Sequence, residues 1–124
     1  MIVADTSLLV AHLRGSANAA RFLKAQEEVV APALVAWELW KGAHNVSEEA
    51  GARDVLSRCV VEPFSAAMAE TAGAVHRQME RAGKRRGTLD LLIAAHALHR
   101  GVPIATLDRD YEGIHGLKVV RVKA

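Results

Sequence analysis

The chain has 124 residues, of which 51% are apolar and 24% are charged, and its formal net charge is +2. These totals fit one globular domain over residues 1–124 and exclude a long disordered tail, and so small a charge does not by itself indicate nucleic-acid binding. The apolar runs are too short for a membrane helix, so we expect no membrane association. The single cysteine, Cys59, cannot form an internal disulfide, which favours a cytoplasmic location.

Short apolar runs alternate with longer helical patterns along the chain. The apolar runs predict strands at 1–4, 29–31, 59–62, 102–105 and 118–122. The helical patterns predict helices at 6–13, 17–26, 32–44 with Pro32 in the first turn, 47–57, 66–82 after the cap Ser65, and 88–100 before the stop signal Gly101. Strands that alternate with helices predict an α/β domain with a mostly parallel sheet of about five strands.

Four of the 14 acidic residues stand in apolar surroundings. Asp5 follows the first predicted strand and Asp108 follows the fourth, while Glu38 and Asp90 lie inside apolar helical runs. Each has a structural interpretation: a helix cap for Asp5 and Asp108, a complement to the helix dipole for Asp90, and either the polar edge of a helix or a partner of a basic residue for Glu38. A single pocket beyond the carboxyl ends of the strands accounts for all four at once.

A pocket that gathers four carboxylates needs a counter-ion, because like charges oppose one another's ionisation. The sequence offers no matching set of buried cations, so we expect a hard divalent cation, Mg²⁺ or Mn²⁺, that also binds a substrate phosphate. Such an ion lowers the pKa of a bound water and neutralises the charge that develops in phosphodiester cleavage. The acids therefore predict metal-assisted phosphoryl chemistry.

Competing site motifs are weak. No glycine-rich nucleotide-binding motif follows the first strand, and His96 and His99 are not part of a zinc-binding HExxH motif. Ser7 stands where an aspartyl-nucleophile phosphatase has its second Asp. The third strand ends in Glu62 and a proline, which excludes the phosphorylated Asp of a receiver domain.

Two features keep alternative interpretations. The stretch RAGKRRG at 81–87 is either a solvated helix end or a patch that contacts phosphates. Trp37 and Trp40 flank Glu38, and they either pack in the core or form an apolar groove for a partner.

Four segments, MIVADTSLLV, WELWKG, TLDLLIAAHAL and IATLDRDY, occur in an order that resembles the PIN-domain family. More narrowly, they resemble the VapC toxins of bacterial and archaeal toxin–antitoxin pairs, over essentially the whole chain. The resemblance implies a three-layer α/β/α fold with a central parallel sheet. It also implies a metal-dependent endoribonuclease, with a catalytically silent RNA-binding or scaffold module of the same fold as the alternative.

The resemblance also implies roles for individual residues. The catalytic and metal-binding acids are Asp5, Glu38, Asp90 and Asp108, with Asp5 and Asp90 in the most direct contact with Mg²⁺. The supporting residues are Ser7, Thr106 and Asp110, and Thr6 is expected beside them. If the chain is such a nuclease, the basic stretch supplies residues that would steer the RNA backbone toward the acidic site, namely Lys84, Arg85 and Arg86.

One residue departs from the family pattern, and two protein partners are implied. Tyr111 stands where Phe is more usual, and this departure puts nothing in doubt about the resemblance. The implied partners are a second copy of the chain in a homodimer and a cognate antitoxin whose C-terminal segment covers the acidic pocket.

Overall fold

The computed structural model describes residues 1–124. The strands are β1 (Ile2–Ala4), β2 (Val29–Pro32), β3 (Val60–Glu62), β4 (Ile104–Thr106) and β5 (Val119–Arg121). The helices are α1 (Thr6–Leu13), α2 (Ala17–Ala25), α3 (Ala33–Gly42), α4 (Val46–Ser57), α5 (Ala66–Arg81) and α6 (Thr88–Arg100). The predicted α/β class is confirmed, and each predicted element is present with its ends moved by a few residues. None of the helices has the combination of length and apolar character needed to cross a bilayer.

The five strands form one parallel sheet in the order β3-β2-β1-β4-β5. From β1 the chain moves outward through β2 to β3, and it then returns to place β4 on the other side of β1. The strand order therefore reverses between β1 and β4, where Ala4 pairs with Ala105. Parallel α/β sheets bind their ligands beyond the carboxyl ends of the strands at such a reversal.

The helices form two groups. Helix α1 contacts α2, α3 and α4, whereas α5 packs along α6. Crossovers between parallel strands are right-handed. The crossover from β3 to β4 runs across the sheet in the opposite direction to the crossovers from β1 to β2 and from β2 to β3. Helices α5 and α6 therefore cover one face of the sheet, and helices α1 to α4 cover the other. The resulting three-layer arrangement buries a core that includes Val3, Leu9, Val30, Ile93 and Ile104.

One predicted boundary is wrong. Pro32 was expected in the first turn of a helix, but it is the last residue of β2 and pairs with Glu62 of β3. Its backbone is extended, with φ −53° and ψ 143°, which is the conformation of a residue that precedes a helix. The fixed φ of proline suits this position as well as the first helical turn, so the sequence pattern does not separate the two.

The tryptophan pair of α3 lies on the surface. Trp37 is 52% exposed and Trp40 is 39% exposed, so the interpretation that they pack in the core is wrong. The Lys41 ammonium lies 4.6 Å from the Trp37 ring centre, and the Arg53 guanidinium lies 5.2 Å from the Trp40 ring centre. The two cations lie over the ring faces. The exposed remainder of both tryptophan side chains forms an apolar surface on α3, the helix that carries Glu38.

Candidate active site

Asp5 lies at the carboxyl end of β1 and is only 3% exposed. It occupies the N-cap position of α1, yet its side chain makes no capping hydrogen bond, so the helix-cap interpretation of Asp5 is wrong. Three hydroxyls hold the carboxylate instead. Ser7 and Thr106 donate to Oδ2 at 2.9 and 2.8 Å, and Tyr111 donates to Oδ1 at 2.9 Å. These bonds offset the cost of burying the carboxylate.

The hydroxyls of Ser7 and Thr106 also join the ends of β1 and β4. Their oxygens are 3.1 Å apart, and the Leu107 amide donates to the Ser7 hydroxyl at 3.0 Å. The Asp108 amide donates to Thr106 Oγ1 at 2.9 Å. This network sets the backbone of Asp108 beside Asp5. A turn and not a helix follows Asp108, so Asp108 is not a helix cap.

Glu38 and Asp90 reach the same edge of the sheet from two helices. Thr6, the residue after Asp5, donates a hydrogen bond from its hydroxyl to Glu38 Oε1, which ties α3 to the start of α1. Asp90 lies in the first turn of α6, where a carboxylate also complements the helix dipole. Its Oδ1 lies 3.4 Å from the Tyr111 hydroxyl, which is itself bonded to Asp5. The structure therefore brings the four acids predicted from the sequence together.

The acids act on one another electrostatically. Burial raises the pKa of Asp90, and the charges of Asp5, Asp108, Asp110 and Glu38 raise it further. The pKa of Asp108 is also raised, first by burial and then by Asp5 and Asp110, while Arg121 opposes the shift. Asp110 therefore belongs to the same negative field as the four acids.

No buried cation neutralises this field. None of the five acids takes part in an ion pair, and the Arg121 guanidinium, which opposes the Asp108 shift, makes its ion pair with Glu112 at 3.7 Å. In such a site a cation from solution would relieve the repulsion between the carboxylates.

The donor set fits a hard divalent cation that keeps part of its water shell. The available donors are carboxylate oxygens, which suit Mg²⁺ or Mn²⁺. No three His, Cys, Asp or Glu side chains come close enough to coordinate one ion together. Mg²⁺ is commonly held by one or two carboxylates with several waters retained, so it does not need a cluster of three protein ligands.

The basic stretch divides into an anchored residue and two free ones. Arg86 donates from its guanidinium to the Glu112 carbonyl at 3.0 Å, which fastens the α5–α6 loop to the loop between β4 and β5. Lys84 and Arg85 are exposed and make no ion pair. The three side chains line a cavity of about 500 Å³ whose wall includes Leu91, the residue after Asp90.

The Lys84 side chain lies over Gly113 in the facing loop. Gly113 has φ +90°, and a Cβ at this position would lie 2.7 Å from the Lys84 ammonium nitrogen. The glycine therefore supplies both the positive φ and the space that Lys84 occupies.

A second group of charged residues lies apart from the acidic pocket. His96 is fully buried, and its Nε2 lies 2.9 Å from Glu62 Oε1. Arg100 donates from Nε to the same oxygen at 3.1 Å. Burial pushes the pKa of Glu62 upward, but the hydrogen bond with His96 and the charge of Arg100 outweigh this, so the net shift is downward.

Tyr111 is the site residue that the sequence pattern did not indicate. It is 1% exposed, and its hydroxyl lies within 3.4 Å of both Asp5 and Asp90, a contact that the more usual Phe could not make. Burial, and then the charge of Asp5 and its hydrogen bond, raise the pKa of the phenol, which stays a hydroxyl donor. A buried tyrosine needs a hydrogen-bond partner. The available signal was the presence of acids near Tyr111, both in the segment DRDYE at 108–112 and at the ends of the neighbouring strands.

Comparison with known proteins gives one consistent family. The sequence matches the family model described as PIN domain over residues 2–117. Ribonuclease VapC10 of Mycobacterium tuberculosis is 31% identical over 110 residues, which cover 87% of this chain and 83% of that protein. Ribonuclease VapC1 of Rickettsia felis is 28% identical over an alignment 131 positions long, which covers 99% of this chain and 97% of that protein.

A solved structure shows the same fold. The crystal structure of VapBC2 from Rickettsia felis, bound to a DNA fragment from its promoter, contains a chain that superposes with a TM-score of 0.89 at 20% identity. The match covers 99% of this chain and 100% of that one. The chain therefore belongs to the PIN-domain family, and the curated relatives that it matches are VapC ribonucleases.

Proposed function

We propose that this chain is an Mg²⁺-dependent endoribonuclease and the toxin of a toxin–antitoxin pair that acts in the cytoplasm. The observation that carries the proposal is the convergence of Asp5, Glu38, Asp90 and Asp108 at the reversal of strand order, with no ion pair to any of them. The names of the related ribonucleases give the substrate class.

The proposal assigns a role to each side chain of the pocket. Asp5 and Asp90 would hold the ion most directly, and Glu38 and Asp108 would complete the pocket. A bound Mg²⁺ supplies a water of lowered pKa and neutralises the charge that builds up on the RNA phosphate. Three hydroxyls keep the acids in place: Thr6 holds Glu38, and Ser7 and Thr106 hold Asp5. Asp110 adds its negative charge beside Asp108.

The basic loop gives the RNA backbone a path to an acidic site. Lys84 and Arg85 are exposed cations beside the start of α6, which carries Asp90. In this proposal they contact phosphates on either side of the scissile bond, which offsets the repulsion between RNA and carboxylates. Arg86 lines the same cavity and contributes its charge from a fixed position, because its guanidinium holds the Glu112 carbonyl.

The proposed protein partners are a cognate antitoxin and a second copy of the chain. A groove of about 370 Å³ runs between α1, α3 and α4, and Leu13, Leu39 and Glu38 are among its lining residues. An antitoxin segment bound in this groove would reach Glu38 and would cover the acidic pocket. Trp37 and Trp40 leave additional apolar area on α3 for a protein contact.

Expression of the chain with and without its antitoxin, followed by mapping of RNA 5′ ends, tests the proposal. We expect new 5′ ends and arrested growth with the parent alone, and neither with the antitoxin or with the Asp5→Asn or Asp90→Asn variant. The purified parent is expected to cleave RNA in Mg²⁺ or Mn²⁺ and to stop in EDTA.

The matched control is Glu62→Gln, which removes an acid that is already paired with His96 and Arg100. It should cleave like the parent per folded molecule. If the folded parent binds RNA without cleaving it, the chain is a binding module and not a nuclease. If Asp90→Asn cleaves like the parent, the assignment of Asp90 as an ion ligand is wrong.

A further inference from the structure

Tyr111 reaches the acidic pocket from a fixed backbone. It lies in the loop between β4 and β5, and its ring belongs to the buried core. The next residue, Glu112, has its carbonyl held by the Arg86 guanidinium at 3.0 Å, and its amide donates to the Arg109 carbonyl at 3.1 Å. With both ring and backbone held, the phenol oxygen has little freedom of position.

The phenol has one proton and two neighbouring carboxylates. Its oxygen lies 2.9 Å from Asp5 Oδ1, which is a normal hydrogen-bond length, and 3.4 Å from Asp90 Oδ1, which is longer than such bonds usually are. The proton therefore goes to Asp5. The phenol oxygen stands between the two carboxylates and limits how closely they approach.

The hydrogen bonds also distinguish the two oxygens of Asp5. Oδ2 accepts from both Ser7 and Thr106, so its lone pairs are used. Oδ1 accepts only from Tyr111, so one of its lone pairs remains open. The open lone pair is on the oxygen that shares the Tyr111 hydroxyl with Asp90.

We propose that Tyr111 is a positioning residue for the divalent ion. Its hydroxyl fixes the rotation of the Asp5 carboxylate, presents the open lone pair of Oδ1, and sets the spacing between Asp5 and Asp90. This inference rests on the proposed function, because it takes a divalent ion to be held by these two acids. A phenylalanine at this position would fill the same core space without either effect.

The competing interpretation is that the hydroxyl only satisfies a buried carboxylate. Under that interpretation, removal of the hydroxyl lowers stability but leaves the affinity for the ion unchanged. The two interpretations therefore differ in ion binding and not in folding.

The first test uses the parent chain, because Tyr111 is its only tyrosine. Selective carbon-13 labelling of tyrosine gives one set of ring resonances, which can be followed while Mg²⁺ is added. We expect these resonances to shift with the same midpoint that calorimetry gives for Mg²⁺ binding. Mg²⁺ binding that leaves the tyrosine resonances unmoved would overturn the inference.

The second test compares Tyr111→Phe with Thr71→Val. Thr71 carries a hydroxyl on α5 that bonds only to the Ala67 carbonyl of its own helix, so its loss controls for removal of a hydroxyl. We expect Tyr111→Phe to weaken Mn²⁺ binding about 10-fold, as is typical for partners of metal ligands, and Thr71→Val to bind like the parent. Equal Mn²⁺ affinities in all three proteins would refute the positioning role.

The same measurements separate this inference from the proposed function. If the parent shows neither heat nor shifted resonances with Mg²⁺ or Mn²⁺, the metal-dependent function fails and the inference fails with it. If calorimetry shows that the parent binds Mg²⁺ and that Asp90→Asn does not, while the tyrosine resonances stay unmoved, only the positioning role fails.

Discussion

Two groups of carboxylates in this protein differ in their counter-charges. Glu62, at the end of β3, bonds to His96 and Arg100, and its pKa is lowered. Asp90 has no cation bonded to it, and burial together with four other acids raises its pKa. Both acids belong to one small α/β domain, yet the chain neutralises only the first.

The difference distinguishes a structural acid from a binding one. A carboxylate that supports the fold is bonded to hydrogen-bond donors and a cation of its own, which offset the cost of removing it from water. A carboxylate that awaits a ligand keeps its charge uncompensated, and the fold tolerates the repulsion. Among acids at strand ends, the absence of a paired cation is therefore a useful sign of a site.

The largest expected difference between the two groups is in RNA cleavage. Asp90→Asn removes a proposed ion ligand, so we expect a loss of at least about 100-fold, the upper range seen for mere partners of metal ligands. Glu62→Gln should retain activity within about twofold, because Glu62 touches only His96 and Arg100. Initial rates with a fluorogenic RNA in Mg²⁺, corrected for the folded fraction, measure both. Equal losses in the two variants would erase the distinction.

A divalent ion should stabilise the fold through one group and not the other. At an Mg²⁺ concentration 100 times the dissociation constant, we expect about 2.7 kcal/mol of added stability in the parent. The increment should persist in Glu62→Gln and vanish in Asp90→Asn. Urea unfolding with Mg²⁺ or with EDTA measures it, and an undiminished increment in Asp90→Asn would place the ion elsewhere.

Without metal, the two substitutions should change stability in opposite directions. Glu62→Gln weakens the bonds to His96 and Arg100, which we expect to cost about 1 kcal/mol. Asp90→Asn removes a charge repelled by its neighbours, so its melting temperature in EDTA should rise by about a few degrees. Thermal unfolding at neutral pH checks both signs. A destabilised Asp90→Asn variant would show that favourable interactions of Asp90, such as that with the α6 dipole, outweigh the repulsion from its neighbours.

The pH dependence of these differences follows from the pKa shifts. The lowered pKa of Glu62 gives stability that is present above the ordinary Glu pKa of 4.5 and is lost as the pH falls through the folded value. The raised pKa of Asp90 costs stability as the pH rises from 3.8 through the folded value. In EDTA, both variants should therefore approach the parent in acid and diverge from it in opposite directions toward neutral pH. Urea titrations across this range give the curves, and a constant difference at all pH values would contradict the shifts.

The smallest expected effect belongs to the exposed cations outside both groups. Arg85→Ala should raise KM for RNA and reduce the dependence of binding on salt by about one ion. Arg21→Ala is the matched control, because Arg21 is exposed and its side chain contacts only Asn18 on its own helix. Cleavage at several salt concentrations tests the pair, and identical salt slopes would remove Arg85 from the RNA path.

Much of the fold could be predicted because each local pattern agrees with the final structure. Runs such as VVA at 29–31 are buried in the sheet, and Gly101 ends α6 with φ +69°. Asp5 and Asp108 stood out because they follow apolar strands, and parallel strands bring their carboxyl ends to one edge. The convergence of the acids was therefore accessible from sequence.

Long-range side-chain contacts were not accessible in the same way. The path of the β4–β5 loop decides that Tyr111 reaches Asp5 and that Arg86 holds the Glu112 carbonyl. The pairing of His96 with Glu62 spans 34 residues and depends on how α6 packs against the sheet. Trp37 and Trp40 have apolar side chains, but the helix face that carries them is left uncovered.

Gly113 constrains the backbone of the loop that carries Tyr111. Any other residue there would adopt an unfavourable positive φ, and its Cβ would lie 2.7 Å from the Lys84 ammonium nitrogen. The ammonium is the far end of an exposed, flexible side chain and can move aside at little cost, whereas the backbone strain would remain. Relatives that share this loop are therefore expected to keep a glycine at the position of Gly113, while the residue that faces it varies.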